Sequence, residues 1–212
     1  MSSFIEKHRY HWSQKTFSTS TAFGLLLLLA SLIINYNAGL YATKNASSSV
    51  TDIFLDNFPA VNVDFLFVDG IFIFILFVGS LLMLRPKFIP FILKSTSVFF
   101  IIRSISISLT HIGPSPDQSP IIINNINKFF VFGGDLFFSG HTGLPFLMAL
   151  IFWNYKHLRY FFISLSVAAG ITVLLGHLHY SIDVFAAFFM TYGIFKMSQA
   201  LFKKDYNYAM LD

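Results

Sequence analysis

The chain has 212 residues, of which 55% are hydrophobic and only 11% charged, and its mean hydropathy is +0.68. That balance excludes an ordinary soluble domain and makes membrane spans the first expectation. The absence of cysteine excludes disulfides and thiolate metal sites. The net charge of +4 calls for no nucleic-acid partner, because cytosolic anchoring to anionic lipid accounts for the basic residues.

In chain order, residues 1–20 form a polar stretch carrying Lys7, Arg9 and Lys15 with His8 and His11, read as a tail. A leucine-rich apolar run follows at about 22–40. Basic residues precede it as they would a secretory signal, but it is long. No small-residue cleavage site stands near Asn35-Tyr36-Asn37, so a retained helix is expected. Residues 41–64 are the longest connection and leave room for a short helix of their own. They hold the glycosylation tripeptide Asn45-Ala46-Ser47, and Asp52 and Asp56 at a spacing that suits one helix face. A second apolar run covers about 65–84, with Asp69 near its entry. A third covers about 91–112 and encloses Arg103. Three prolines in 113–120 rule out a helix interior there. The apolar segment 129–138 is able to dip into the membrane. It precedes a short fourth run at about 142–155, a fifth at about 160–178 and a sixth at about 180–200. The expected fold is all-α, a polytopic bundle of about six transmembrane helices over 21–203, followed by a second tail, 204–212.

Lys and Arg set the orientation. Eleven of them lie in the two tails, in the second-to-third connection and in the fourth-to-fifth connection, against Lys44 and Lys128 on the other face. The positive-inside rule then puts both termini in the cytoplasm and the starts of the fourth and sixth helices on the opposite side.

Those two helix starts carry the chemistry. His179 and Asp183, read as i and i+4 on the sixth helix, face the same way. The carboxylate accepts the proton on one ring nitrogen and leaves the other nitrogen's lone pair free as a nucleophile or base. A carboxylate inside a membrane segment is expensive and usually functional. His141 lies in the turn Ser139-Gly140-His141-Thr142, where glycines at 133, 134, 140 and 143 permit close backbone approach. Free N–H groups at the helix start, with the Ser139 and Thr142 hydroxyls, suit a phosphate, and a second histidine is able to protonate a leaving oxygen. Arg103, inside the third helix, suits two phosphate oxygens or an internal salt bridge with Asp69 or Asp183. Asp135 orients or tunes His141, contacts a cationic head group, or is a solvated loop carboxylate. A metal held by His141, His179 and Asp183 is formally available, but no compact ligand motif appears. Phosphohistidine chemistry needs no metal, so no cofactor is expected.

The segments 133–142 and 179–183 resemble the two hallmark motifs of sphingomyelin synthases and their relatives, a branch of the type 2 phosphatidic acid phosphatase superfamily. Gly133 stands where that family usually has Cys. Arg103, Ser106 and Thr110, followed by Gly113-Pro114, resemble its third-helix motif, with Ser106 in place of a Thr. Thr51-Asp52, with Asp56 beyond, is faintly similar to a Leu-Pro-Asp element without its Leu-Pro. The plain phosphatases of the superfamily carry Lys-x6-Arg-Pro, Pro-Ser-Gly-His and Ser-Arg-x5-His-x3-Asp. Here Val78, Phe138, Thr172 and Val173 occupy the matching positions, and Arg85-Pro86 falls on the other side of the membrane.

The resemblance implies transfer of a phospho-head group, such as phosphocholine or phosphoethanolamine, from a glycerophospholipid donor to a lipid alcohol acceptor such as ceramide or diacylglycerol. It implies His179 as nucleophile, Asp183 as its orienting partner and His141 as general acid and base. Arg103 and the 139–142 turn would bind phosphate. Hydrolysis by a lipid phosphatase or phospholipase C-type enzyme is the alternative, and a non-catalytic lipid-binding protein the second.

Overall fold

The computed structural model describes residues 4–122 and 133–210. Lys128 and most of the apolar stretch before Gly133 lie outside them. Among the described residues every regular element is a helix, and five helices are long and apolar enough to cross a membrane. The protein is a polytopic helical membrane protein.

Helix α1 (Phe4–Ser13) and helix α8 (Lys203–Met210) fall within the stretches expected to be tails. The first span, α2 (Lys15–Lys44), is far longer than its apolar run. No proline interrupts residues 15–44, so the polar flanks continue the helix for about 45 Å. The second span begins as a π turn (Phe65–Asp69) and continues as α3 (Gly70–Leu84). A single 3₁₀ turn (Pro86–Phe88) leads into α4 (Ile89–Leu109), whose Pro90 sits in the first turn, where no N–H is needed. Residues 45–64 form turns and no helix. Asp52 and Asp56 do not share a helix face; the Asp56 carboxylate accepts the Asp52 N–H at 2.9 Å and closes one turn.

Helix α5 (Gly140–Ile151) is about 18 Å long, well short of the ~30 Å hydrocarbon core. Eight of its twelve residues are buried, so it serves as the core of the bundle while α4, α6 (Lys156–Leu175) and α7 (Ser181–Leu201) pack around it. Gly143 makes that packing possible, because a Cβ there would meet the Phe99 ring at 2.7 Å and the Thr191 hydroxyl at 2.8 Å. Small residues on one face of α2 (Gly24, Ser31, Ala38 and Ala42) let it lie along α4. Few close approaches tie α3 to the other long helices.

The two ends of the bundle differ. One carries α1, α8 and the basic connections. There the buried Lys94 ammonium donates to Ser20 Oγ and Asp205 Oδ2, both at 2.6 Å, fastening α2, α4 and α8 together. The opposite end carries the candidate site.

Candidate active site

After α6 ends at Leu175 the chain turns through 176–179 before α7, and connections hold this turn from both sides. Val61 N–H donates to Leu175 O at 2.8 Å and Ser119 N–H to Gly176 O at 2.9 Å. His177 takes the left-handed backbone (φ 53°), which a non-glycine residue adopts only when its surroundings hold it there. Its Nε2 donates to Phe58 O at 3.0 Å. Asp52 crosses 129 positions of sequence to accept the Ser181 N–H at 2.7 Å and the Ser181 hydroxyl at 2.8 Å, which caps the first turn of α7. Burial pushes the Asp52 carboxyl up, but the hydrogen bonds from Ser181, Leu55 and Phe54 outweigh burial and leave it below its ordinary range. The Tyr180 hydroxyl donates to Gly113 O at 2.8 Å.

His179 therefore precedes the helix instead of lying on it, because Tyr180 is the N-cap and Asp183 the third helical residue. The pairing expected from their spacing survives this change. His179 Nδ1 lies 3.4 Å from Asp183 Oδ2, which also accepts the Tyr180 N–H at 2.9 Å. The carboxylate is wholly buried, and its acceptor atom fixes the imidazole proton on Nδ1. Among the described residues His179 Nε2 has no partner, so its lone pair is available.

Ser139 caps α5, and its N–H donates to Asp183 O at 3.1 Å, binding one motif to the other. Its Oγ accepts both the N–H and the hydroxyl of Thr142, at 3.4 and 3.2 Å. The two hydroxyls expected to bind substrate are thus buried against each other, and neither lines the cavity described below. The N–H groups of Gly140 and His141 have no partner among the described residues and open the helix as anion donors. Gly134 lets the preceding turn cross the end of α2, since a Cβ there would stand 2.7 Å from Ala42 O and Thr43 Cα.

Arg103 is 5% exposed and does form an internal salt bridge, but with neither Asp69 nor Asp183. Its Nη1 lies 2.6 Å from Asp135 Oδ1, its Nη2 donates to Asp135 O at 3.3 Å and its Nε to Phe138 O at 3.0 Å. Asp69 is exposed in the π turn, and Asp183 is turned to His179. The guanidinium so anchors the 135–138 turn by one ion pair and two hydrogen bonds, and among the described residues its remaining N–H groups have no hydrogen-bond partner.

His141 is oriented by a group that sequence reasoning missed. Its Nε2 lies 3.1 Å from Phe67 O and its ring stacks on the Phe67 ring at a centroid distance of 4.0 Å. A carbonyl only accepts, so Nε2 carries the proton and Nδ1 is left for proton transfer. The sole signal in the sequence was an aromatic residue at the entry of the second span.

Arg103, Asp135, Gly140, His141 and His179 meet at one end of a cavity of about 480 Å³. From there the cavity follows α3 from Phe67 to Leu82, roughly 22 Å, between α3 and apolar side chains of α2, α4 and α5. Two of its lining residues, Ile75 and Gly79, are also exposed on the outer face of the bundle, so the cavity opens sideways. No group of histidines and carboxylates among the described residues has the spacing to hold a metal ion.

A family model described as PAP2 superfamily C-terminal matches residues 133–200, the stretch that contains both histidine motifs and α5 to α7. The match supports membership of the PAP2 superfamily. No curated protein and no solved structure matches the chain.

Proposed function

We propose that the protein moves a phospho-head group from a glycerophospholipid to a lipid alcohol through a phosphohistidine on His179. The observation that carries this reading is the shared cavity: two histidines, a buried arginine and a helix N-terminus at one end, hydrocarbon along the rest. His179 Nε2 attacks the donor phosphorus, and the bond from phosphorus to the diacylglycerol oxygen breaks. His141 enters this step as the imidazolium, gives that oxygen the second proton, which it holds on Nδ1, and is left neutral with its other proton on Nε2 toward Phe67 O. The acceptor hydroxyl then returns its proton to His141, and its oxygen attacks phosphorus and breaks the P–N bond. Asp183 stabilises the His179 imidazolium. The free N–H groups of Arg103, Gly140 and His141 meet the equatorial oxygens.

Several features support transfer over hydrolysis: the sequence resemblance, the absence of the phosphatase Lys and Arg residues, and a cavity wall suited to a lipid acceptor. The distribution of Lys and Arg supports a site on the non-cytoplasmic face with both termini cytoplasmic, and residues 21–203 are the proposed catalytic domain.

The test uses purified protein in mixed micelles with fluorescent ceramide, fluorescent diacylglycerol and a panel of phospholipid donors, read by mass spectrometry. A new head-group-bearing lipid that His179→Ala and His141→Ala reduce at least about 10³-fold is expected, with Asp183→Asn falling about 10²- to 10⁴-fold. Release of a free phospho-alcohol or phosphate without a new lipid would move the assignment to hydrolysis. Inactivity on every donor would leave a lipid-binding protein.

A further inference from the structure

Asn35 has a polar side chain that the fold leaves mostly unbonded among the described residues. It lies inside α2, nine residues from Lys44 and about 13 Å along the axis from that end. An amide at such depth costs free energy unless its donors and acceptor are bonded. Its polar contact among the described residues is with Ser104, whose Oγ stands 3.5 Å from Asn35 Oδ1. The Ser104 hydroxyl already gives its single proton to Phe100 O at 2.6 Å. Turning the amide over would let one N–H reach Ser104 Oγ. The other N–H and the amide oxygen would still be uncommitted.

Asn35 also lines the cavity that holds the two histidines. Ser104 follows Arg103 in α4, so Asn35 meets α4 one position from the arginine that lines the same cavity. On the same helix, Leu28 and Leu32 continue the apolar wall deeper into the bundle. Asn35 thus marks the border between the phosphate end and the hydrocarbon end. A phospholipid has its linkage oxygens at that border, between phosphate and chains.

We infer that Asn35 is a specificity-determining residue that donates a hydrogen bond to a carbonyl oxygen joining an acyl chain to the lipid backbone. The inference rests on the reading that phosphorus is attacked by His179. The same carbonyl chemistry occurs in the donor phospholipid and in a diacylglycerol acceptor, and the experiment separates them.

Dialkyl-ether lipids keep head group and chain length but lack the carbonyls. Wild type, Asn35→Leu and Asn35→Gln are assayed in mixed micelles with phosphatidylcholine and phosphatidylethanolamine as diacyl and dialkyl donors. A second arm compares diacylglycerol with dialkylglycerol as acceptor. Wild type should favour the ester form by roughly three- to tenfold in KM, as one net hydrogen bond allows. Asn35→Leu should bring the two forms to parity without changing kcat on the ether form, and Asn35→Gln should recover part of the preference. Parity gained in the donor arm assigns the bond to the donor, and in the acceptor arm to the acceptor. An ester-to-ether ratio unchanged by Asn35→Leu in both arms, or no preference in wild type, would overturn the inference. Leucine is at home in an apolar helix, and thermal unfolding checks the fold. Equilibrium binding of the same lipid pairs to His179→Ala, with and without Asn35→Leu, needs no turnover. If no lipid is turned over yet binding still discriminates through Asn35, the transfer reading fails and the role of Asn35 stands.

Discussion

Arg103 holds the 135–138 turn by an ion pair to Asp135 and hydrogen bonds to Asp135 O and Phe138 O, and on the proposed reading its remaining N–H groups meet the phosphate, so a single residue would both build the site and serve it. Asp135→Asn removes the charge that balances the guanidinium inside the bundle. Breaking one side of a buried pair costs about 3–5 kcal/mol, so the melting temperature should fall. Inorganic phosphate should then raise it more in the variant than in wild type, because the freed arginine gains an anion; thermal unfolding with and without phosphate reads both effects. The partners of Arg103 were not legible in the sequence. Asp135 lies 32 positions away in a turn whose path no local pattern reveals, and Asp69 and Asp183 were equally good candidates by charge alone. His179, Asp183 and His141 were legible, since two histidines and an intramembrane carboxylate have few structural uses. Phe67 carries no chemistry by residue type, and Asn35 lies in the first apolar run far from either motif in sequence, so only the fold brings them to the cavity.

At the scale of elements, α7 depends on a carboxylate far outside it. Asp52 titrates below its ordinary range when folded, so its contribution is fully present above the unfolded value of about 3.9 and is lost as pH falls through the folded one. Asp52→Ala should therefore melt lower than wild type near neutral pH. The gap should close only below about pH 4, as thermal unfolding across pH would show. A gap that stays constant at acid pH would mean that Asp52 acts by shape alone. The apolar runs announced the spans because length and hydropathy set them; the second, Phe65–Leu84, lies where its run does, while others moved for local reasons. The first span grew because nothing breaks residues 15–44. The fourth shrank because residues 152–155 turn the chain, and the sixth starts late because Tyr180 caps it. Helices α1 and α8 escaped notice because their sequences are polar enough to read as tails.

For the whole molecule, the end far from the site is fastened by one buried cation. Lys94 is bonded to Ser20 and Asp205, and among the described residues Asp205 is the carboxylate that pairs with it. Asp205→Ala should cost about 3–5 kcal/mol, while Lys94→Met with Asp205→Leu should cost much less; limited proteolysis at the C-terminal helix distinguishes the two. At the other end, the sideways opening at Ile75 and Gly79 has a kinetic meaning. A lipid reaching the histidines through that opening never crosses water, so encounters take place within a sheet. Diluting vesicles in buffer leaves such a rate unchanged, whereas diluting the substrate among inert lipids lowers it. On the proposed reading, the concentration that the protein responds to is a mole fraction in two dimensions.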